Sequence, residues 1–292
     1  MPREAEPSNL EKEFILEALH ENLRIDGRGF DQFRNVDLTF GDDYGSVTVQ
    51  LGRTRINVQL SAEVVKPLDD RPFDGIFTIV TELSPIASPA FEVGRPTEQE
   101  IILSRILEKA IRRSNAIDTE SLCIVSGSKC WSIRADVHIL DHDGGLVDGS
   151  CIALIAALQH FRRPDVSVDG EDVTIYTLAE RVPVPLSIMH QPLCVSFNFY
   201  HEGETILVDA TLREEQVREG DMVITMNRYG EVCQIAKMGG VPVDPILLLN
   251  CTKVALEKVK DITKLISTRL DEDTKQRNIG GLITELRAEN NR

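Results

Sequence analysis

Residues Lys129 to Arg163, KCWSIRADVHILDHDGGLVDGSCIALIAALQHFRR, constrain the fold more than any other stretch, because a strand, a tight turn and an apolar helix follow one another without a break. Trp131, Ile133, Ala135, Val137 and Ile139 alternate with Ser132, Arg134, Asp136 and His138, which predicts a strand with one apolar face. The run Asp141-His-Asp-Gly-Gly145 carries residues that tolerate left-handed backbone and that cap a following segment with short side chains. From Val147 to Phe161 the sequence is apolar or small nearly all round, so the helix predicted there is buried between layers. A chain built on such a unit needs a covering layer on each side of that helix.

Four carboxylates crowd this stretch: Asp136, Asp141, Asp143 and Asp148. The pair Asp141 and Asp143 begins like a calcium loop, but the twelfth position is Ile152, where a bidentate Glu is required. The residues therefore favour a turn. The chain has 292 residues and a net charge of −15, enough length for one large core or two medium ones. The acidic balance argues against a surface that grips nucleic acid everywhere, and leaves room for a local basic element. No apolar run approaches the eighteen or so residues of a spanning helix, and MPREAEPSNLEKEF lacks the apolar centre of a signal peptide, so no membrane partner and a cytosolic or nuclear location are expected. Cys123, Cys130, Cys151, Cys194, Cys233 and Cys251 show no CxxC spacing and read as reduced thiols, not a zinc site or disulfide frame.

In chain order, residues 1 to about 9 are expected to be disordered, and Leu10 to Asn22 reads as an amphipathic helix with Phe14, Ile15, Ala18 and Leu19 as its stripe. Arg24-Ile-Asp-Gly-Arg28 reads as a surface turn with two solvated arginines. Period-two patterning from Arg34 to Val65, broken by Gly-containing turns, predicts a three-stranded antiparallel meander. A loop over Lys66 to Gly75 carries Arg71, and Ile76 to Leu83 is another strand. Thr97 to Ser114 is the clearest helix, opened by a Thr97/Glu100 capping box and with Leu103, Ile106, Leu107, Ala110 and Ile111 on one face. Its other face carries Arg105, Lys109 and Arg112 at i, i+4 and i+7, a basic stripe that Glu108 weakens and that the residues alone leave as a solvated face.

Strands are expected at Ser121–Ser126 and, after the buried helix, at Val173–Leu178; the pattern then restarts with Cys194–Tyr200, Thr205–Asp209, Met222–Asn227 and Val232–Met238. Asp244 and Pro245 open a long helix with a stripe through Leu248, Cys251, Val254, Ala255, Val259, Ile262 and Ile266, and Gln276 to Arg292 forms one more helix. The result is α+β with internal pseudo-duplication, sheets packed on central helices. Its parts are an arm over 1–29, a first half over 30–165, a linker over 166–185, a second half over 186–270 and a C-terminal helix or tail over 271–292. Asp209 to Asp221 holds five acids, Asp209, Glu214, Glu215, Glu219 and Asp221, in thirteen positions. Paired carboxylates there can bind a metal or act as acid and base, and an exposed acidic loop is the plainer alternative. No Walker-type phosphate loop or GxSxG elbow occurs, and the six histidines lack metal-ligand spacing.

Several segments, in order, carry a family likeness: RIDGR at 24–28, GRPTEQEIILSRILEKAIRRS at 94–114, WSIRADVHILDHDGGLVDGSCIALIAAL at 131–158, and FRRPDVSV followed by ERVPVPLSIMHQPLCVSF. Over residues 10 to 270 the chain resembles an RNase PH-like ring subunit of the eukaryotic RNA exosome. The resemblance implies the RNase PH-like, ribosomal protein S5 domain 2-like fold. Active enzymes of this type attack RNA with inorganic phosphate, held by a Thr or Ser and an Arg after the Asp-x-Gly turn and by an Arg on the preceding helix. The matching turn positions here are Leu146 and Val147, which cannot hydrogen-bond a phosphate. Where active enzymes carry two aspartates six residues apart, this chain has Glu215 and Asp221. The resemblance therefore implies a non-catalytic subunit without cofactor or metal, Glu215 and Asp221 being degenerate remnants. It also implies that Arg105 and Lys109 line the path of single-stranded RNA, with Arg112 and Arg71 as further candidates. Implied partners are other RNase PH-like subunits in a heterohexameric ring, S1/KH cap subunits and a processive exoribonuclease subunit, in nucleus, nucleolus and cytoplasm. Similar subunits often carry a longer acidic tail, which these 292 residues do not include. The alternative is an active 3′–5′ exoribonuclease, phosphorolytic or metal-dependent through Glu215 and Asp221.

Overall fold

The computed structural model describes residues 6–92, 94, 96–169, 172–177 and 180–278. Helix α1 spans Asn9–His20 and starts on a capping box in which Ser8 and Glu11 exchange bonds, so order begins inside the stretch expected to be disordered. Ile15 and Leu19 are buried against Tyr200 and Leu207, whereas Phe14, expected in the same stripe, points outward at 63% exposure.

Strands β1 (Val36–Phe40), β2 (Ser46–Leu51) and β3 (Thr54–Val65) form the predicted antiparallel meander. β4 (Ile76–Leu83) is followed by α2 (Glu98–Leu107), which continues as a π-helical turn over Glu108–Arg112. Thr97 Oγ1 accepts from the Glu100 N–H at 3.3 Å, the Thr97 half of the expected capping box. Residues Glu120–Leu122 form a 3₁₀ turn, which shortens the expected strand to β5 (Cys123–Val125). β6 (Lys129–Asp141) then pairs with β3 antiparallel and with β4 in parallel, giving the order β1-β2-β3-β6-β4 with β5 on β6. Parallel pairing needs a crossover longer than a hairpin, and α2 supplies it.

The buried helix α3 (Leu146–His160) packs on β2 and β3 at one side. Its other side meets β11 (Leu193–Tyr200), the central strand of a second antiparallel sheet. Between the halves, β7 (Arg162–Arg163) pairs with β10 (Val184–Pro185), and β8 (Val166–Asp169) with β9 (Asp172–Ile175) in a hairpin that ends before the expected Leu178. The second sheet runs β12-β11-β13-β14, with β12 at Thr205–Val208, β13 at Gly220–Met226 and β14 at Val232–Lys237. Between β12 and β13 lies a short helix, α4 (Leu212–Val217), where sequence alone suggested a loop.

The last helix, α5 (Pro245–Arg277), packs on β11, β13 and α3, and runs unbroken past Gln276, where a separate helix was expected. The rest of that expected helix, 279–292, lies outside the described residues. Arg269 reaches Asp37 at 2.9 Å, and Arg277 donates to the carbonyls of Gly41 and Asp42, so the end of α5 is tied to the first sheet. One apolar core runs through both halves. It exists because α3 is buried on every face from Cys151 to Leu158 and so demands both sheets at once.

Candidate functional site

β6 ends at Asp141, and the chain turns through Gly144 and Gly145, at φ +81° and +66°, into α3. Glycine at 144 is required by packing as well as by backbone angle: a Cβ there would lie 2.6 Å from Ala210 O and 2.6 Å from Leu212 N. The N-cap of α3 is Gly145, with no side-chain cap, so the aspartates of the turn do not cap the helix as the sequence suggested. The first-half turn therefore lies directly on the second-half segment that runs from Asp209 into α4.

Arg24 and Arg28 of the N-terminal arm, and Arg34 just beyond it, stitch this junction. Arg24 is 4% exposed, and its Nε and Nη2 donate to Glu214 Oε1 and Oε2 at 3.1 and 2.7 Å, a bidentate pair buried on both sides. It also donates to the carbonyls of Val208 and Asp209. Arg28 donates to Asp209 Oδ2 at 3.1 Å and to Asp26 Oδ2 at 2.6 Å. Arg34 donates to both Asp209 oxygens and to the carbonyls of Asp143 and Gly144, bridging the turn and the second half. The expectation of two solvated arginines at 24–28 is corrected: they are structural ions whose desolvation is offset by Glu214 and Asp209. The reading of 209–221 as an exposed acidic loop is corrected with it, because Asp209 and Glu214 are 0% and 1% exposed.

Beside this junction opens a cleft of ≈150 Å³. α2 lines it with Gln99, Ile102, Leu103 and Ile106, the turn and the start of α3 with His142, Leu146 and Val147, and the second half with Ser196, Glu215, Arg218 and Asp221. Four residues singled out by sequence, Leu146, Val147, Glu215 and Asp221, thus come together from separate segments. Glu215 Oε1 accepts from the Gly145 N–H at 2.8 Å. Burial pushes its carboxyl above the usual range, opposed by Arg218, the Gly145 bond and Arg34. Arg218 donates to Asn198 Oδ1 at 2.9 Å and stands 3.6 Å from Asp221 Oδ1. The Arg218 guanidinium thus stands beside Asp221 and its charge also acts on Glu215, so it answers part of the negative charge a cation would meet there. Among the described residues no three His, Cys, Asp or Glu side chains are placed to hold one metal ion.

Sequence reasoning missed Ser196, Arg218 and the role of Asp148. Arg218 lies three residues from both Glu215 and Asp221, a spacing that could have flagged it. Asp148 is 0% exposed, and its Oδ2 accepts from Ser196 Oγ at 2.6 Å and from Ser196 N at 3.0 Å, fastening α3 to β11 under the cleft. Burial raises its pKa to about 8, against the Ser196 hydrogen bonds and aided by the nearby charges of Asp209 and Glu215. A lone Asp in a helix apolar all round was the available signal.

The basic candidates stand apart from this cleft. Arg105 and Lys109 are exposed on the solvent side of α2 and its π-helical extension, and among the described residues neither has an acidic partner. Arg112 is held by Glu108 at 3.2 Å, and Arg71 lies 4.0 Å from Asp74 in the β3–β4 loop. All six cysteines are free thiols, and no described helix is long and apolar enough to cross a membrane.

The description "3′ exoribonuclease family, domain 1" matches residues 32–164, and "3′ exoribonuclease family, domain 2" matches residues 190–258. The chain is 53% identical over 277 residues to "Exosome complex component rrp45" of Schizosaccharomyces pombe, covering 95% of this chain and 95% of that protein. It is 47% identical over 291 residues to "Exosome complex component RRP45" of Saccharomyces cerevisiae, with 95% of each covered. Among solved structures, a chain of "archaeoglobus fulgidus exosome with RNA bound to the active site" superposes with a TM-score of 0.76 at 32% identity, covering 88% of this chain and 97% of that one. These findings bear out the resemblance read from the ordered segments, and the relatives named RRP45 narrow it to one kind of ring subunit.

Proposed function

We propose, from the premise that this chain belongs to the 3′ exoribonuclease family, that it is a non-catalytic ring subunit of an RNA exosome. In that role it scaffolds the barrel and guides single-stranded RNA toward a nuclease supplied by another subunit. Relatives named as exosome complex components match along nearly the whole chain, which supports the assembly. The observation that carries the loss of catalysis is the mouth of the cleft. Its α3 end presents Leu146 and Val147, whose side chains offer an anion no hydrogen-bond donor, so a phosphate there forgoes contacts to those two positions worth on the order of several kcal/mol. Glu215 and Asp221 are occupied by Gly145 N–H and by Arg218, which also disfavours the alternative of a metal-dependent nuclease.

Ring partners are other RNase PH-like subunits; S1/KH cap subunits and a processive exoribonuclease complete the assembly, which works in nucleus, nucleolus and cytoplasm. Arg105 and Lys109, exposed and unpaired among the described residues, are the RNA-guiding cations, with Arg71 and Arg112 secondary because each faces a carboxylate. The test is RNA degradation by the purified chain, alone and with its ring partner, with phosphate or magnesium supplied in turn. The expected outcome is no shortening of the RNA. Cleavage by the chain alone, abolished by Asp221→Ala, would overturn the proposal and return Glu215 and Asp221 to catalysis.

A further inference from the structure

The six thiols are not equivalent. Cys151 and Cys194 are both 0% exposed between α3 and β11, out of reach of any solute. Cys123 and Cys130 differ from them in register, and Cys123 differs in access as well. They are directly opposed partners across the antiparallel β5–β6 pair, and only Cys130 is fully buried while Cys123 is partly open to solvent. Opposed residues on antiparallel strands send their side chains to the same face with Cβ atoms about 4.5–5.5 Å apart, and a disulfide needs about 3.5–4.5 Å. The ladder is irregular between Cys123 and Val125, so the small approach required falls where pairing is already loosened.

We infer that Cys123 and Cys130 are a redox-active dithiol that closes a cross-strand disulfide when met by a small disulfide oxidant of the oxidised-glutathione class. Cys123, the accessible thiol, attacks first: its thiolate bonds to one sulfur of the oxidant, the oxidant's S–S bond breaks, and one small thiol leaves with a proton. Cys130 then attacks the Cys123 sulfur as its thiolate and releases the second small thiol, which takes the second proton. Two electrons pass from the cysteine pair to the oxidant. Burial pushes the Cys130 thiol up, aided by neighbouring Cys123, which suits it to resolving and not to initiating. The bridge would close the base of the β5–β6 hairpin. That hairpin holds the loop bearing Arg71, because the Gly127 N–H donates to Pro72 O at 2.9 Å.

The experiment is intact-mass and peptide mapping of the full reduced chain, alone and in its assembled ring, after incubation with oxidised glutathione. The expected result is loss of two hydrogens and a peptide linking Cys123 to Cys130. On the mapped peptides, Cys130→Ser should stop with one glutathionyl group on Cys123, and Cys123→Ser should leave Cys130 unmodified, while any adduct on the partly open Cys233 is scored on its own peptide. Absence of the 123–130 link in the native chain, or modification of Cys130 in Cys123→Ser while the fold is retained, would overturn the inference.

Discussion

Asp148→Asn isolates what the buried carboxyl beneath the cleft contributes. In the folded chain Asp148 titrates near pH 8, against an ordinary value of 3.8, chiefly because burial disfavours the charged form. A folded-state pKa raised above the unfolded one means that the native state binds a proton the unfolded chain has released. Stability from this group is therefore complete below about pH 4 and is lost as pH rises toward 8. Asn is nearly the same size, can accept from Ser196 through its amide oxygen and does not titrate. Between pH 5 and pH 8 the stability of Asp148→Asn relative to the unmutated chain should rise by roughly 4 kcal/mol, three pH units at about 1.4 kcal/mol each. Urea unfolding at several pH values, compared at constant m, measures this difference, and other titrating groups cancel between the two proteins. A difference flat with pH, or one that favours Asp148 increasingly at high pH, would refute the reasoning. It would mean that the carboxylate stays ionised on the Ser196 donors.

Three further outcomes follow from the same contacts. Arg24→Ala leaves Glu214 buried without its bidentate partner, so unfolding free energy should fall by about 3–5 kcal/mol, read by urea or thermal melts. Gly144→Ala forces a Cβ onto the backbone of Ala210 and Leu212 at a positive φ, so a loss on the order of 1–3 kcal/mol is expected in the same assay, with earlier separation of the two halves by hydrogen exchange. Arg105→Glu combined with Lys109→Glu should weaken single-stranded RNA binding by the assembled ring and lower the steepness of log K against log salt by about 1.4, two phosphate contacts' worth. Unchanged salt dependence would remove these residues from the RNA path.

Much of the architecture was legible because it depends on local periodicity. Alternation over 36–65 and 131–139 fixed strands and their faces, and the unbroken apolar run from Cys151 to Leu158 fixed a helix that must be covered on both sides. The site was legible only in part. Leu146, Val147, Glu215 and Asp221 could be flagged by matching segments, yet that they share one cleft depends on α3 pressing β11 against the first sheet. Arg24 and Arg28 misled, because a charged residue in a Gly-containing turn looks solvated until its partner, about 180–190 residues away, is known.

By itself the sequence determined the two repeated runs of strands and helices, the central buried helix, and the aliphatic pair Leu146 and Val147 at the start of that helix. These are properties of neighbouring residues, and side-chain period and polarity are set locally. Only the tertiary structure decided which charges are buried, which acid stays protonated, and that a guanidinium stands beside Asp221. Burial, dielectric and long-range ion pairing arise when distant segments meet, and nothing in the local order of residues specifies that meeting.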